Sequence, residues 1–192
     1  MYRKHEILYS ELEKLPDCKV IVEIGASPFP VTDELYEGYG MSTIKLAQWA
    51  QRINAEFHSC DIDPDHILNA SEILANAGLP AMFYVDDGET FLKKWSATTK
   101  IDFLYLDNAS DPKLTLEQFK LAEPLMSDNS IIMLDDCHSD EWGFYSKGTT
   151  CIPYAIEKGY KVALTAAFNN SIMAIIKKEW DPILDKRYAP CH

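Results

Sequence analysis

Five apolar runs along this chain carry a carboxylate at or near their C-terminal end. Glu23 lies in VIVEIG, just ahead of Gly25. Asp61 and Asp63 close AEFHSCDID, Asp86 and Asp87 close AMFYVDD, Asp107 closes IDFLYLD, and Asp135 with Asp136 closes SIIMLDD. One or two such acids are ordinary helix caps, and Asp63 before Pro64 fits that use. Five in succession call for more. Carboxylates gathered at one edge repel each other unless a ligand, a cation or water accommodates them. The first run is followed by a glycine-bearing loop. Gly25 frees the backbone to turn, and Gly40 allows close approach to a ligand just before a helix begins. Ser42 and the first helix amides then face an anionic group, such as an amino-acid carboxylate or a phosphate. Asp61 is of the right type to accept hydrogen bonds from a ribose diol. GYGMST contains GxG, but Thr43 stands where a dinucleotide fingerprint has its third glycine, and the pair lies far from the strand end.

The elements that must position these residues alternate. Residues 1–17 read as an amphipathic helix, with Ile7, Leu8, Leu12 and Leu15 on one side and Pro16 closing it. VIVEIG is a buried strand, and residues 26–39 are loop. A helix starts at Ser42 or Thr43, either of which can cap it, and carries Ile44, Ala47 and Ile53. A strand over 55–63 precedes a helix opened by Asp63 and Pro64 and ended by Gly78 and Pro80. Residues 81–87 form a third strand and ETFLKKW a short helix. A fourth strand spans 101–107, and a helix from about Leu114 to Met126 packs through Phe119, Ala122 and Leu125. The fifth strand spans 130–136, and CIPYAIEKGY holds a helix stopped by Gly159. KVALTAAF and SIMAIIKK are strands separated by Asn169 and Asn170. Strand–helix alternation requires crossover connections, hence a parallel sheet with helices on both faces. The Asn-Asn link is a hairpin signal, so the last strand runs antiparallel. The expected fold is α/β: a Rossmann-like, doubly wound sheet of seven strands with ligands at its carboxyl edge.

Composition bounds the partners. The 192 residues suit one domain over 1–192, and 47% hydrophobic with 25% charged residues is a globular balance. Thirty acids against 18 bases give a formal charge of −12. Such a chain repels a phosphate backbone, so no nucleic-acid partner is expected. No apolar run reaches the roughly 20 residues that span a bilayer, so no membrane partner is expected. The polar start MYRKHEILYSELEK lacks the pattern of a signal peptide, which makes the cytoplasm the expected compartment. Cys18, Cys60, Cys137, Cys151 and Cys191 are odd in number and form no CxxC, so reduced thiols are expected rather than disulfides or zinc. A homo-oligomer is left open.

Over residues 18–178 the chain resembles the class I S-adenosylmethionine-dependent methyltransferases. VIVEIG with GYGMST is similar to that family's first motif, CDIDP to the second, YVDDGETFL to the third and IDFLYLDNAS to the fourth. The terminal hairpin matches the family's extra antiparallel strand. The resemblance implies that Glu23, Gly25, Gly40 and Ser42 cradle the methionine part of the cofactor. It implies that Asp61 holds the ribose hydroxyls with Ile62 beside it, that Asp87 and Gly88 lie near the adenine, and that Asp107 lies at the sulfonium end.

A narrower resemblance is to the cation-dependent O-methyltransferases, of the catechol and macrocin type. They place an acid after strand four and an acid pair after strand five. It implies one magnesium or similar hard cation at Asp107, Asp135 and Asp136, completed by water and substrate oxygens. A small-molecule hydroxyl would then be the acceptor. The sequence departs from the pattern twice. Gly25 and Gly40 are far apart, so 26–39 is an insertion in the cofactor loop, a segment that would cover bound cofactor or shape the acceptor pocket. Catechol-type enzymes also carry a lysine base shortly after the first metal acid. Here Asn108, Ala109, Ser110 and Asp111 fill that region, and the first lysine is Lys113. His138 is the candidate base instead, because imidazole titrates near neutrality, with Asp107 second. Trp142, Phe144 and Tyr145 are candidates to wall an aromatic or sugar substrate. Two rival readings stand beside this one: an NAD(P)-dependent oxidoreductase on a similar sheet, and an adenosylmethionine-binding protein without turnover.

Overall fold

The structure is a computed structural model and describes residues 4–26, 41–109, 111–137, 147–166 and 172–178. Its centre is β1 (Val20–Ile24), whose five residues are all buried. A β-branched run without polar alternation suits a strand covered on both faces. β1 pairs in parallel with β2 (Glu56–Asp61) on one side and β4 (Ile101–Leu106) on the other. β3 (Met82–Val85) continues beyond β2, and β5 (Met126–Leu134) beyond β4, both in parallel. β7 (Ile172–Lys177) lies antiparallel between β5 and β6 (Lys161–Ala166). The order is β3-β2-β1-β4-β5-β7-β6, and only the last strand runs against the others, as the sequence predicts.

Side-chain alternation divides the core into two layers. On β4, Phe103 and Tyr105 face one layer while Leu104 and Leu106 face the other. The first layer holds Ile7, Leu8 and Leu12 of α1 (Lys4–Leu12), Leu46 and Trp49 of α2 (Ser42–Ile53), and Leu74 of α3 (Pro64–Asn76). The second holds Phe91 of α4 (Gly88–Lys94), Phe119 of α5 (Pro112–Ala122) and Cys151 of α6 (Gly148–Glu157). α1 is further fixed by Glu11, which is buried and ion-paired to Lys14 at 2.6 Å and to Lys177 of β7 at 2.7 Å. Among the described residues, no helix is long and apolar enough to cross a membrane.

Three boundaries differ from the sequence reading by four residues or more. α1 ends at Leu12 rather than 17, and Leu15 is reached through turns. Pro16 disfavours the helical region for the residue before it, so the helix unwinds early. α5 stops at Ala122 and a 3-10 turn, Glu123–Leu125, follows. Pro124 cannot supply the amide that a continuing helix needs. β5 therefore begins at Met126, four residues before the expected Ser130. Asn169 and Asn170 lie outside the described residues, but the strands they join pair from Lys161 with Lys177 to Ala166 with Ile172. Cys18, Cys60, Cys137 and Cys151 are free and buried, and burial pushes each thiol up to about 12. They are inert thiols at neutral pH.

β1 lies where the strand order reverses, between β2 and β4, so a crevice opens beyond its carboxyl end. Gly25 makes the turn there with φ +100°, and its amide donates to the Cys60 carbonyl at 2.8 Å. A Cβ at Gly25 would come within 2.1 Å of the Asp107 carbonyl oxygen. Neither backbone can yield without shifting the β1 and β4 termini. Gly25→Ala is expected to cost about 3 kcal/mol or more, combining an unfavourable φ with a backbone clash. Urea denaturation measures it, and a loss below about 1 kcal/mol would show that the two strand ends are not rigidly held.

Candidate active site

Each strand end deals with its acid differently. Glu23 is fully buried on β1, and its Oε2 accepts from the Thr43 and Ser59 hydroxyls, both at 2.7 Å. Burial pushes its carboxyl up to about 7, against the Ser42, Ser59 and Thr43 hydroxyls, which favour the charged form. α2 begins at Ser42 without a side-chain cap, so the capping expected of Ser42 or Thr43 is not made. The cap position is Met41, so Ser42 and Thr43 already lie within the helix, and the Thr43 hydroxyl donates to the Glu23 carboxyl.

Asp61 at the end of β2 links two loops. Its Oδ2 accepts the Ala26 amide at 2.9 Å, and its Oδ1 accepts the Asp63 amide at 2.8 Å. His66 Nδ1 lies 3.4 Å from Oδ2. An ionised carboxylate still has lone pairs for a further donor after two such bonds. Ile62 follows with 72% of its surface exposed. Beyond β3, Asp86 pairs with Lys94 at 2.5 Å, and Asp87 caps α4 by accepting the Thr90 amide at 2.8 Å. Hydrogen bonds from Thr90 hold the Asp87 carboxyl below its ordinary value. Gly88 opens α4, packed against Ile24 and Gln118.

The ends of β4 and β5 form a tighter cluster. One carboxylate oxygen each from Asp107, Asp135 and Asp136 lies within 4.8 Å of the others. Asp135 Oδ2 accepts the Tyr105 hydroxyl at 2.7 Å, and its Oδ1 accepts the Asp136 amide at 2.8 Å. Asp136 has φ +47°, a left-handed conformation that aspartate tolerates better than most residues. Two ammonium groups meet the three acids. Lys147 Nζ lies 2.7 Å from Asp107 Oδ1 and 3.9 Å from Asp136 Oδ2. Lys4 Nζ lies 2.7 Å from Asp135 Oδ2 and 3.2 Å from Asp136 Oδ1.

Burial and the neighbouring Asp135 push the Asp107 carboxyl up to about 7, against the pull of Lys147 and Lys4. Burial alone would lower the Lys147 ammonium, but Asp107 and Asp135 outweigh it and hold the group above its ordinary value. Lys4 is raised in the same way, burial being overcome by Asp135 and Asp136.

The sequence-derived candidates are thus brought together in part. Gly25 touches Asp107, Glu23 holds Thr43, Asp61 holds the start of the loop after Gly25, and Asp107 meets Asp135 and Asp136. Gly40, His138, the aromatic residues 142, 144 and 145, and residues 27–39 of the insertion lie outside the described residues. Lys4, Lys147 and Tyr105 were not anticipated. Lys4 is 131 residues from Asp135, and Lys147 is 40 from Asp107, so no local spacing connects them. A lysine does reach Asp107, but from across the fold, at the start of α6.

Glu23 gives the apo-protein a pH signature. Its folded value of about 7 lies above the unfolded carboxyl value of about 4.3. Between those values the folded chain holds a proton that the unfolded chain has released, so stability falls as pH rises through that window. Asp107 contributes with the same sign. Urea unfolding between about pH 4.5 and 7.5 should therefore show a steeper decline in the parent than in Glu23→Gln, by about 3 kcal/mol over the range. Parallel profiles would mean that Glu23 is charged throughout.

Residues 37–137, more than half of the chain, match the family model described as a methyltransferase domain. No curated protein matches the sequence significantly. Solved structures match in fold. The Streptococcus mutans protein SMU.1697c, in complex with S-adenosylhomocysteine, superposes with TM-score 0.64 at 12% identity, covering 90% of this chain and 97% of that one. An rRNA methylase from Streptococcus thermophilus gives 0.63 at 14% identity, covering 91% and 96%. The O-methyltransferase TomG from Streptomyces achromogenes, involved in tomaymycin synthesis and solved with S-adenosylmethionine, gives 0.65 at 17% identity, covering 92% and 80%. At these identities the structures establish a shared fold, and the family match adds the class: the chain belongs to the methyltransferase-domain family and is a methyltransferase.

Proposed function

We propose that this enzyme transfers a methyl group from S-adenosylmethionine to a hydroxyl oxygen of a small-molecule acceptor, with a divalent cation held by Asp107, Asp135 and Asp136. The observation that carries the reading is the double position of Asp107. Its backbone abuts the Gly25 turn, where the cofactor's methionine end would lie, and its side chain belongs to the three-acid cluster. Donor and acceptor would therefore meet at one residue.

In this reading Gly25, Gly40 and Ser42 receive the methionine part, and Glu23 anchors the start of α2 beneath it through Thr43. Asp61 accepts from the ribose, Ile62 offers an exposed apolar surface to the adenine, and Asp87 with Gly88 borders the ring. The donor set suits a hard cation: three carboxylates from two strand ends, with oxygen ligands only. Such an ion supplies a Lewis acid that lowers the acceptor hydroxyl's pKa and orients it. Lys147 is kept protonated by Asp107 and Asp135, so it fixes Asp107 rather than acting as a base. His138, two residues beyond Asp136, is the proposed base. Attack in line with the departing sulfur then needs alignment more than charge stabilisation, because the sulfonium leaves as a neutral thioether. The formal charge of −12 supports a small acceptor over RNA, since phosphates would be repelled.

Two measurements test the reading. Calorimetry with S-adenosylhomocysteine should show Asp61→Ala weakened by about 1–3 kcal/mol, the loss of a charged acceptor for a buried hydroxyl. Unchanged affinity would remove Asp61 from the site, and binding of NAD instead would favour the oxidoreductase. Transfer of labelled methyl to a panel of hydroxylated small molecules and to RNA, with and without chelator, should give cation-dependent labelling of a small molecule. Asp136→Ala should abolish that labelling while S-adenosylhomocysteine still binds. Labelling of RNA, or full activity after chelation, would overturn the acceptor and the cation respectively. Cofactor binding without transfer to any acceptor would leave a binding protein.

A further inference from the structure

The three-acid cluster already contains a cation of its own. Lys4, in the first turn of α1, places its ammonium between Asp135 Oδ2 and Asp136 Oδ1, at 2.7 Å and 3.2 Å. A divalent ion drawing one oxygen from each of Asp107, Asp135 and Asp136 must use the same space between the acid pair. We propose that Lys4 and the divalent cation exchange at Asp135 and Asp136, so that residue 4 of the N-terminal helix sets how tightly the metal is held. This rests on the cation reading given above.

Charge balance favours exchange over simple addition. Among the described residues, with all three carboxyls ionised as metal ligation requires, three carboxylates and two ammoniums leave one net negative charge. A dication added beside both lysines would turn the cluster positive, whereas a dication in place of Lys4 leaves it neutral. In a partly buried cluster an uncompensated charge is the expensive state.

Geometry decides which lysine yields. The Lys147 side chain is 2% exposed, and its ammonium lies nearest Asp107, at 2.7 Å against 3.9 Å to Asp136. The Lys4 side chain is 20% exposed. Its flexible stem can swing to solvent while the helix stays, because α1 is held from Ile7 onward by buried Ile7, Leu8 and Leu12 and by the Glu11–Lys177 pair. Asp135 is not stripped of donors when Lys4 leaves. Its Oδ2 keeps the Tyr105 hydroxyl and its Oδ1 keeps the Asp136 amide. What the exchange vacates is a lone pair on each of two carboxylates, which is what a hard cation needs.

The test is manganese binding to the full chain, read by calorimetry and by loss of the free-ion EPR signal, with melting temperature in parallel. Lys4→Met should bind manganese more tightly than the parent, on the order of tenfold or more, because no resident ammonium has to be displaced. Without metal this variant should melt below the parent, and manganese should raise its melting temperature by more. Lys4→Arg keeps the charge with two donors suited to paired carboxylates, so it should bind manganese no tighter than the parent. It also serves as the test if Lys4→Met does not fold. Equal affinity in the parent and Lys4→Met, with binding lost in Asp136→Asn, would overturn the exchange and leave the cation site standing. A tighter-binding Lys4→Arg would also overturn it. Absence of manganese binding in every variant at millimolar ion would overturn the cation reading, and the exchange with it.

Discussion

Like charge crowded beyond the ends of parallel strands is the constraint around which this molecule is arranged. The sheet brings its strand termini to within a few residues of each other, and nearly every terminus carries an acid. Each acid is compensated by a different local means. Two hydroxyls serve Glu23, backbone amides serve Asp61, a helix start serves Asp87, a surface lysine serves Asp86, and two long-range lysines with a tyrosine serve the Asp107–Asp136 cluster. The compensation is incomplete where burial is deepest, as the raised carboxyls of Glu23 and Asp107 show. Burial answers there by favouring the neutral form of the carboxyl, the kind of perturbation that concentrates at functional sites.

The architecture was legible because its signals are local. Apolar β-branched runs of strand length, the Asp-Pro helix start at 63–64, and the alternation of elements all act within a few residues, whereas the sequence reading passes over the same Asp-Pro signal at 111–112 and places α5 two residues late. The boundary errors also have local causes, since Pro16 and Pro124 act on the residues before them more strongly than the apolar pattern extends the helix. The acids of the site were legible for the same reason: each sits at the end of its own strand. Their partners were not. Nothing in the neighbourhood of Lys4 or Lys147 distinguishes either from a solvated lysine, and only the packing of α1 and α6 against the sheet brings them to β4 and β5. Thr43 shows a milder form of the same limit. As a helix-opening residue it reads as a cap, and the buried carboxylate that claims it instead lies 20 residues away on another element.

The shared sheet is a weak guide to chemistry. Structures that superpose on nine-tenths of this chain include one described as an rRNA methylase and one as an O-methyltransferase involved in tomaymycin synthesis. What separates such enzymes has to lie in the side chains beyond the strand ends. Here those side chains give two regions of different character. At the β1–β2–β3 end the acids are met by backbone amides and hydroxyls, beside the exposed apolar side chain of Ile62. The β4–β5 end is dense in charge, with three carboxylates and two ammonium groups among the described residues.

The strand order also dictates a sequence of events during synthesis. β7 stands between β5 and β6, so β6 leaves the ribosome with no sheet edge of its own to join. It must wait for a strand made after it, and β5 keeps an open edge in the meantime. α1 waits longer still, since Lys177, which grips its buried Glu11, belongs to that same last strand. Closure of the sheet and the Glu11–Lys177 pair of α1 therefore depend on the same step, the docking of β7. Contacts of such long sequence separation make that step slow and leave the open edge exposed to mispairing while it lasts.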